Sequence, residues 1–341
     1  MKLAIPLLVA SLLALPGCGG DGSGSGEAAD KKITVYSGRS EALVKPVLEK
    51  FQQQTGIKVQ VRYGNTAQMA AQLLEEGDKS PADVFFAQDA GALGAVAKGG
   101  LFASLPAEVL NKVAEPYRSK AGEWVGITGR SRVLVYNADL VPAASLPKSV
   151  FELTGPQWKG KVGVAPTNGS FQAFVTALRV QHGDTKAKQF LTGLKANEPQ
   201  IRDGNAVIVA DVNAGKMTVG LVNHYYVYEL AKEQGTTADK LKARLYFFPK
   251  GDTGALVNVA GVGVLKGSAA DPDTKALVDY LLGTDGQTYF ASQTYEYPLV
   301  AGVATAPGLP ALDSLAAPDI DLNDLDTLDA TVAMIKESGL A

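Results

Sequence analysis

Asn223-His224-Tyr225-Tyr226 is the stretch of this sequence that holds the most chemistry. It lies between an apolar run, Val219 to Val222, and a helical-looking segment, Val227 to Gln234. Two adjacent tyrosines at the mouth of a helix are either core aromatics or a pair of hard oxygen ligands. As ligands they must be phenolates, and removing a phenol proton near neutral pH costs on the order of 4 kcal/mol, about three units at 1.36 kcal/mol each. A hard trivalent cation offsets that cost, because oxygen anions are the donors such a metal prefers. On a strand, successive side chains face opposite sides and could not share one ion. At a helix start they lie about 100° apart, and both can converge on it. Asn223 stands where a helix N-cap would be, and Tyr228 reads as core packing.

The remaining composition narrows the metal. Only 2 histidines and 1 cysteine occur in 341 residues, too few for a zinc site of Cys or His type. Ferric iron therefore fits the available donors better than zinc or copper. His224 alternates away from the tyrosines, toward a surface or lobe-packing role, and His182 reads as exposed at a helix end. No HExxH, P-loop or GxSxG elbow is present, and no Cys or His is left over for a catalytic base, so the chain does not read as an enzyme. With 46% apolar and 20% charged residues and a net charge of −3, it carries no footprint for nucleic acid and no polybasic membrane patch.

The elements that must position the tyrosines follow from periodicity. Ile33 to Tyr36, Ile57 to Val61 and Asp83 to Phe86 read as strands, and Glu41 to Gln54, Thr66 to Glu76 and Ala90 to Ala97 as helices between and after them. This βαβαβ order implies an open, largely parallel sheet whose ligands gather at the carboxyl ends of the strands. Ser37-Gly38-Arg39-Ser40 and Gln88-Asp89 stand there, and Gly38 lets the backbone approach a ligand. Pro166 to Ser170 is a polar turn opening a helix from Phe171, either an anion seat or a simple N-cap. Ile127 to Tyr136 and Leu256 to Leu265 are long enough to be paired strands crossing between two lobes. Late helices are read at Thr274 to Leu282, Gln287 to Ser292 and Leu325 to Ser338.

At the other end, Met1-Lys2, an apolar Leu3 to Leu15 and Leu15-Pro16-Gly17-Cys18 form a secretory leader whose closing tetrapeptide resembles a lipobox. Residues 1–17 are read as the signal, Cys18 as the lipid anchor and 18–30 as a Gly/Ser tether. The protein is thus expected in a periplasm or on a cell surface, touching the membrane only through that anchor.

From Ile33 to Leu340 the sequence resembles the bacterial ferric-ion-binding proteins, the periplasmic components of iron(III) ABC importers. The resemblance rests on Ile33 to Gly38, Thr55 to Val59, Pro81 to Phe85, Gly129 to Tyr136, Trp158 to Lys161, Asn223 to Tyr226, Gly254 to Val257 and Glu296 to Leu299. It implies a type II periplasmic-binding-protein fold: α/β, two lobes of parallel and mixed sheet joined by hinge strands, with the ligand in the cleft. The lobes would be 31–130 plus about 257–306, and 131–256 plus about 307–341. By the resemblance, Tyr225 and Tyr226 bind iron, with Tyr136 as third ligand. Ser40 and Gln88 stand where some members carry a histidine and a carboxylate, which excludes that mode and leaves Asp89 as a helix-start salt bridge or a cleft residue. A synergistic anion, carbonate or bicarbonate, would complete the shell on Arg39, with Arg130, Asn168, Gly169, Ser170, Asn205 and Asn223 near it. Arg39 could instead pair with Glu41. The implied partners of the monomer are an ABC permease and its ATPase. The rival reading is a receptor for an oxyanion such as sulfate or phosphate on the same scaffold.

Overall fold

The computed structural model describes residues 31–315 and 317–341, so the expected leader, Cys18 and the tether lie outside the described residues. From Lys32 the chain alternates β1 (Lys32–Ser37), α1 (Glu41–Thr55), β2 (Lys58–Tyr63), α2 (Thr66–Glu76), β3 (Val84–Ala87) and α3 (Ala90–Lys98). β1 lies between β2 and β3 and runs parallel to both. The helical spacing in α1 buries Leu43, Val44, Val47, Leu48 and Phe51 on one face. Gly56 ends that helix at φ 71°, where an L side chain would be strained, and its amide donates back to Gln52 O.

A short α4 (Ala107–Leu110) leads to the long β4 (Val125–Asn137). β5 (Val162–Val164), α5 (Gly169–Ala196), β6 (Gln200–Ile201), α6 (Asn205–Asn213), β7 (Val219–Asn223), α7 (Tyr225–Glu233) and β8 (Ala243–Tyr246) follow. The chain closes with β9 (Val257–Val264), α8 (Pro272–Leu281), α9 (Thr284–Tyr289), β10 (Tyr297–Pro298) and α10 (Leu328–Glu337). Gly183 breaks α5 into two helical pieces with φ 81° and ψ 158°. The apolar run Ala206 to Ala210 is helical. Ile208, Val209 and Val212 of α6 face the interior, while Val207 is 46% exposed.

The strands are ordered β2-β1-β3-β9-β4-β7-β5-β6, with β8 and β10 also pairing β4. β4 changes partners part-way along. Val125 to Ser131 runs antiparallel to β9, and Arg132 to Tyr136 runs antiparallel to β7. This is the two-lobed α/β architecture; β4 passes from one half of the sheet to the other, whereas β9 pairs only with β3 and the first part of β4. One core gathers around Phe51, Phe85, Phe86, Trp124 and Val262, and a second around Trp158, Phe171, Phe174 and Phe190. A third packs α6 and α7 on the sheet through Ile208, Val212 and Val227. Tyr225 belongs to the first core although α7 follows β7, so it reaches from one half of the sheet into the other. Among the described residues no helix is long and apolar enough to cross a membrane.

Candidate metal and anion site

β7 ends at Asn223, which still pairs with Arg132 in the ladder, so the residue at the helix cap is His224 rather than the expected Asn223. His224 caps nothing with its side chain. Its ring instead ties three segments together. The Ser131 amide donates to Nδ1 at 3.2 Å, which leaves the proton on Nε2, 2.9 Å from Tyr295 O. Burial pushes this imidazole down to about 4, so it is neutral at physiological pH. The surface role considered for His224 is therefore excluded, because it is fully buried and packs 4.7 Å from the Tyr297 ring. His182 is half-buried rather than exposed, with its Nε2 3.0 Å from Thr253 Oγ1.

Tyr225 and Tyr226 open α7 with their rings 4.3 Å apart and tilted by 32°. Tyr225 is fully buried, and among the described residues its hydroxyl makes no well-formed hydrogen bond, only a loose approach to the Tyr226 phenol. An unpaired buried hydroxyl costs about 1–3 kcal/mol, so such a group asks for a ligand. Burial raises the Tyr225 proton affinity, and the guanidiniums of Arg39 and Arg130 work against that rise. Tyr226, raised further by burial of its phenol end and by Tyr225, is partly exposed. Tyr228 stacks on Tyr295 at 5.3 Å and donates to Gly308 O, a packing role.

Tyr136 is not brought to the pair. It lies opposite Val219 in the β4–β7 ladder, four residues from Arg132 opposite Asn223, or about 13 Å along the strand. Its ring packs on the second core. Of the three tyrosines expected at the site, the structure brings Tyr225 and Tyr226 together and packs Tyr136 elsewhere.

The candidate anion residues do converge. Arg39, Arg130, Ser170, Asn205 and Asn223 are all buried. Asn168 caps α5, its Oδ1 accepting from the Ser170 amide at 3.0 Å and the Ser170 hydroxyl at 2.6 Å. Asn205 Nδ2 donates to the same hydroxyl at 3.1 Å. Gly169 opens α5 against Asp89, where a Cβ would stand 2.9 Å from Asp89 Oδ2. Gly38 is needed for a similar reason: a Cβ there would meet Thr66 Oγ1 at 2.3 Å, so the close approach is to α2 and not to a ligand. Arg39 does not pair with Glu41, which binds Lys45; it donates to Glu296 Oε2 at 2.6 Å with both side chains buried. Among the described residues Asp89 forms no ion pair within bonding distance. It caps α3 through the Ala92 amide, and burial raises it to about 6. Ser40 is exposed, and Gln88 Nε2 lies 3.4 Å from Asn168 Oδ1.

Three participants were absent from the sequence-based set. Glu296 accepts from Arg39, Thr128 and Thr294 and lies 3.9 Å from Arg130. Arg132 stacks over Phe171 and Phe174 and donates to Ser170 Oγ and Leu221 O. Burial lowers its guanidinium to about 9, with Tyr226 and Tyr225 opposing. Glu229, one helical turn beyond the tyrosines, is pushed up to about 8 by burial and by Glu296. Two arginines inside an apolar strand at Arg130-Ser131-Arg132 were the available signal, since alternate residues share a face.

Comparison with known proteins places this geometry among relatives. Residues 79–324 match the family described as bacterial extracellular solute-binding protein. The Fe(3+)-binding periplasmic protein of Serratia marcescens is 36% identical over 313 residues, 92% of this chain and 91% of that protein. The major ferric iron-binding protein of Neisseria meningitidis serogroup B is 33% identical, covering 90% of this chain and 93% of that one. The crystal structure of iron-bound HitA from Pseudomonas aeruginosa superposes with a TM-score of 0.85 at 36% identity, over 90% of this chain and 99% of that chain.

Proposed function

This chain belongs to the bacterial extracellular solute-binding proteins, and from that premise we propose that it is a receptor for ferric iron. The observation that carries the reading is the Tyr225–Tyr226 pair, with one unpartnered buried hydroxyl beside arginines that favour the phenolate. Ferric ion displaces the two phenol protons, and a synergistic anion occupies the donors around Arg130, Ser170, Asn205 and Asn223. The two lobes, 31–130 plus about 257–306 and 131–256 plus about 307–341, close on the ion by hinging where β4 crosses between them. The loaded monomer docks on an ABC permease whose ATPase drives uptake, and Cys18 tethers it to the envelope. No catalytic role is assigned.

A receptor for a bare oxyanion would use the same arginines and one phenol as a donor, but has no need of a second phenol beside it. The test is a visible spectrum during titration with ferric citrate in bicarbonate buffer. A phenolate-to-iron charge-transfer band that disappears in Tyr225→Phe and Tyr226→Phe is expected. Saturable sulfate or phosphate binding with no coloured iron complex would replace iron by an oxyanion.

A further inference from the structure

The polar turn that opens α5 is gripped from the other half of the molecule. α2 and α3 belong with β1, β2 and β3, whereas α5 belongs with β5, β6 and β7 at the far end of the strand order. Asn65 Nδ2, at the mouth of α2, donates to Thr167 O at 2.7 Å, 102 positions away in number. Gln88 Nε2, just before α3, donates to Asn168 Oδ1 at 3.4 Å. Between these two bonds three helix mouths meet. A Cβ on Gly169, the first residue of α5, would stand 2.9 Å from Asp89 Oδ2 and 3.3 Å from Thr66 Cβ. The bare glycine is what lets this seam shut, because a side chain there would hold the helix ends apart.

Asn65 uses both ends of one amide. Its Oδ1 accepts from the Ala67 amide at 3.0 Å and caps α2, which fixes where its Nδ2 points. Little further ordering is then needed to make the bond across the seam. Thr66 beside it donates from Oγ1 to Gly38 O at 2.8 Å, so the same corner holds the loop that carries Arg39. Across the seam, Asn168 holds Ser170, which is bonded to Arg132 and Asn205. Asn65 is therefore tied into both walls of the site, with neither end of its amide left over for an ion.

We propose that Asn65 is the latch of the closed receptor. It is a positioning residue: it takes no part in coordination and sets how long the ion stays. The proposal rests on the ferric reading of the site. Asn65 is partly exposed at the rim, so water replaces Thr167 O when the halves part. The bond then has the worth of an ordinary hydrogen bond, enough for a several-fold change in residence time and no more.

Stopped-flow release of iron from the whole mature protein into excess competing chelator, followed by the phenolate-to-iron band, tests it. Asn65→Asp keeps the capping oxygen and turns the donor into an acceptor facing the Thr167 carbonyl. Asn65→Ser keeps a capping oxygen, adds no charge and is too short to reach. Both should release iron about three- to tenfold faster than wild type. The band maximum should stay where it is, and so should the melting temperature of the iron-free protein. Wild-type release rates in both variants would overturn the latch while the coloured complex keeps the ferric receptor standing. Acceleration in Asn65→Asp alone would assign the effect to charge and discard the latch as well. A shifted band would do the same by placing Asn65 in the coordination shell. If the wild type forms no band under any loading, both readings fall.

Discussion

The β4–β7 ladder carries tyrosine at both ends, and the two ends differ in what they leave undone. At the Val219 end, Tyr136 packs half-buried on the second core, and the neighbouring Asn137 amide donates to Val212 O. Nothing there asks for a ligand. At the Asn223 end, Tyr225 Oη, Asn223 Nδ2 and the three arginines Arg39, Arg130 and Arg132 keep buried donors without a hydrogen bond. Folded proteins pair the great majority of such groups, so a cluster of exceptions marks a place kept for something else. Residue type alone does not make a ligand; the state of the surrounding hydrogen bonds does.

The charged end is also the costlier one to disturb. Removing the Glu296 carboxylate by Glu296→Ala strands Arg39 in the interior, and should destabilise the fold by about 3–5 kcal/mol in urea melts. Glu41→Ala removes an exposed pair and should cost less than about 1 kcal/mol. Comparable losses from the two would mean that the arginine cluster is wetter than the structure has it.

Next in size, Tyr225→Phe or Tyr226→Phe should weaken ferric binding at least about a hundredfold, the upper end of what losing a mere supporting partner costs. The same change at Tyr136 should leave affinity within about twofold, since the register keeps it from the pair. An equal loss at Tyr136 would restore the three-phenolate site.

Acid should act on His224. Its folded value near 4 lies below the ordinary value of 6.5, so as pH falls the unfolded chain takes the proton first. Stability is therefore lost from about pH 6.5 downward to about 4, amounting to about 3 kcal/mol at 1.36 kcal/mol per unit. Asp89 at about 6 and Glu229 at about 8 run the other way, their contribution fading as pH rises through those values. Comparing urea midpoints of wild type and His224→Gln at both ends of the window cancels the carboxyls and isolates the histidine.

The smallest effect is the most discriminating. Loading from preformed ferric citrate should release about two protons per ion, one from each phenol. A count of three would bring another protein ligand into the shell.

Much of this was open to reading before any coordinates. The alternation from Lys32 to Lys98 showed strands and helices because each period repeats often enough to be unambiguous. Ala206 to Ala210 did not, since five apolar residues in a row carry no period, and only packing on β7 made them a helix. Asn168 at the mouth of α5 was legible as a cap because the rule is local. Asn223 misled for the same reason: the ladder with Arg132 outlasted the local cap preference by one residue.

What the sequence determined by itself was the donor set. With 2 histidines and 1 cysteine against a Tyr-Tyr pair, only a hard cation or no metal was open, because ligand chemistry depends on composition. What the tertiary structure decided was membership. Tyr136 fell outside because strand register converts four residues into more than a coordination radius. Glu296 came inside because Arg39, 257 positions away in number, pairs with it in the interior, and only long-range packing can bring such opposite signs together.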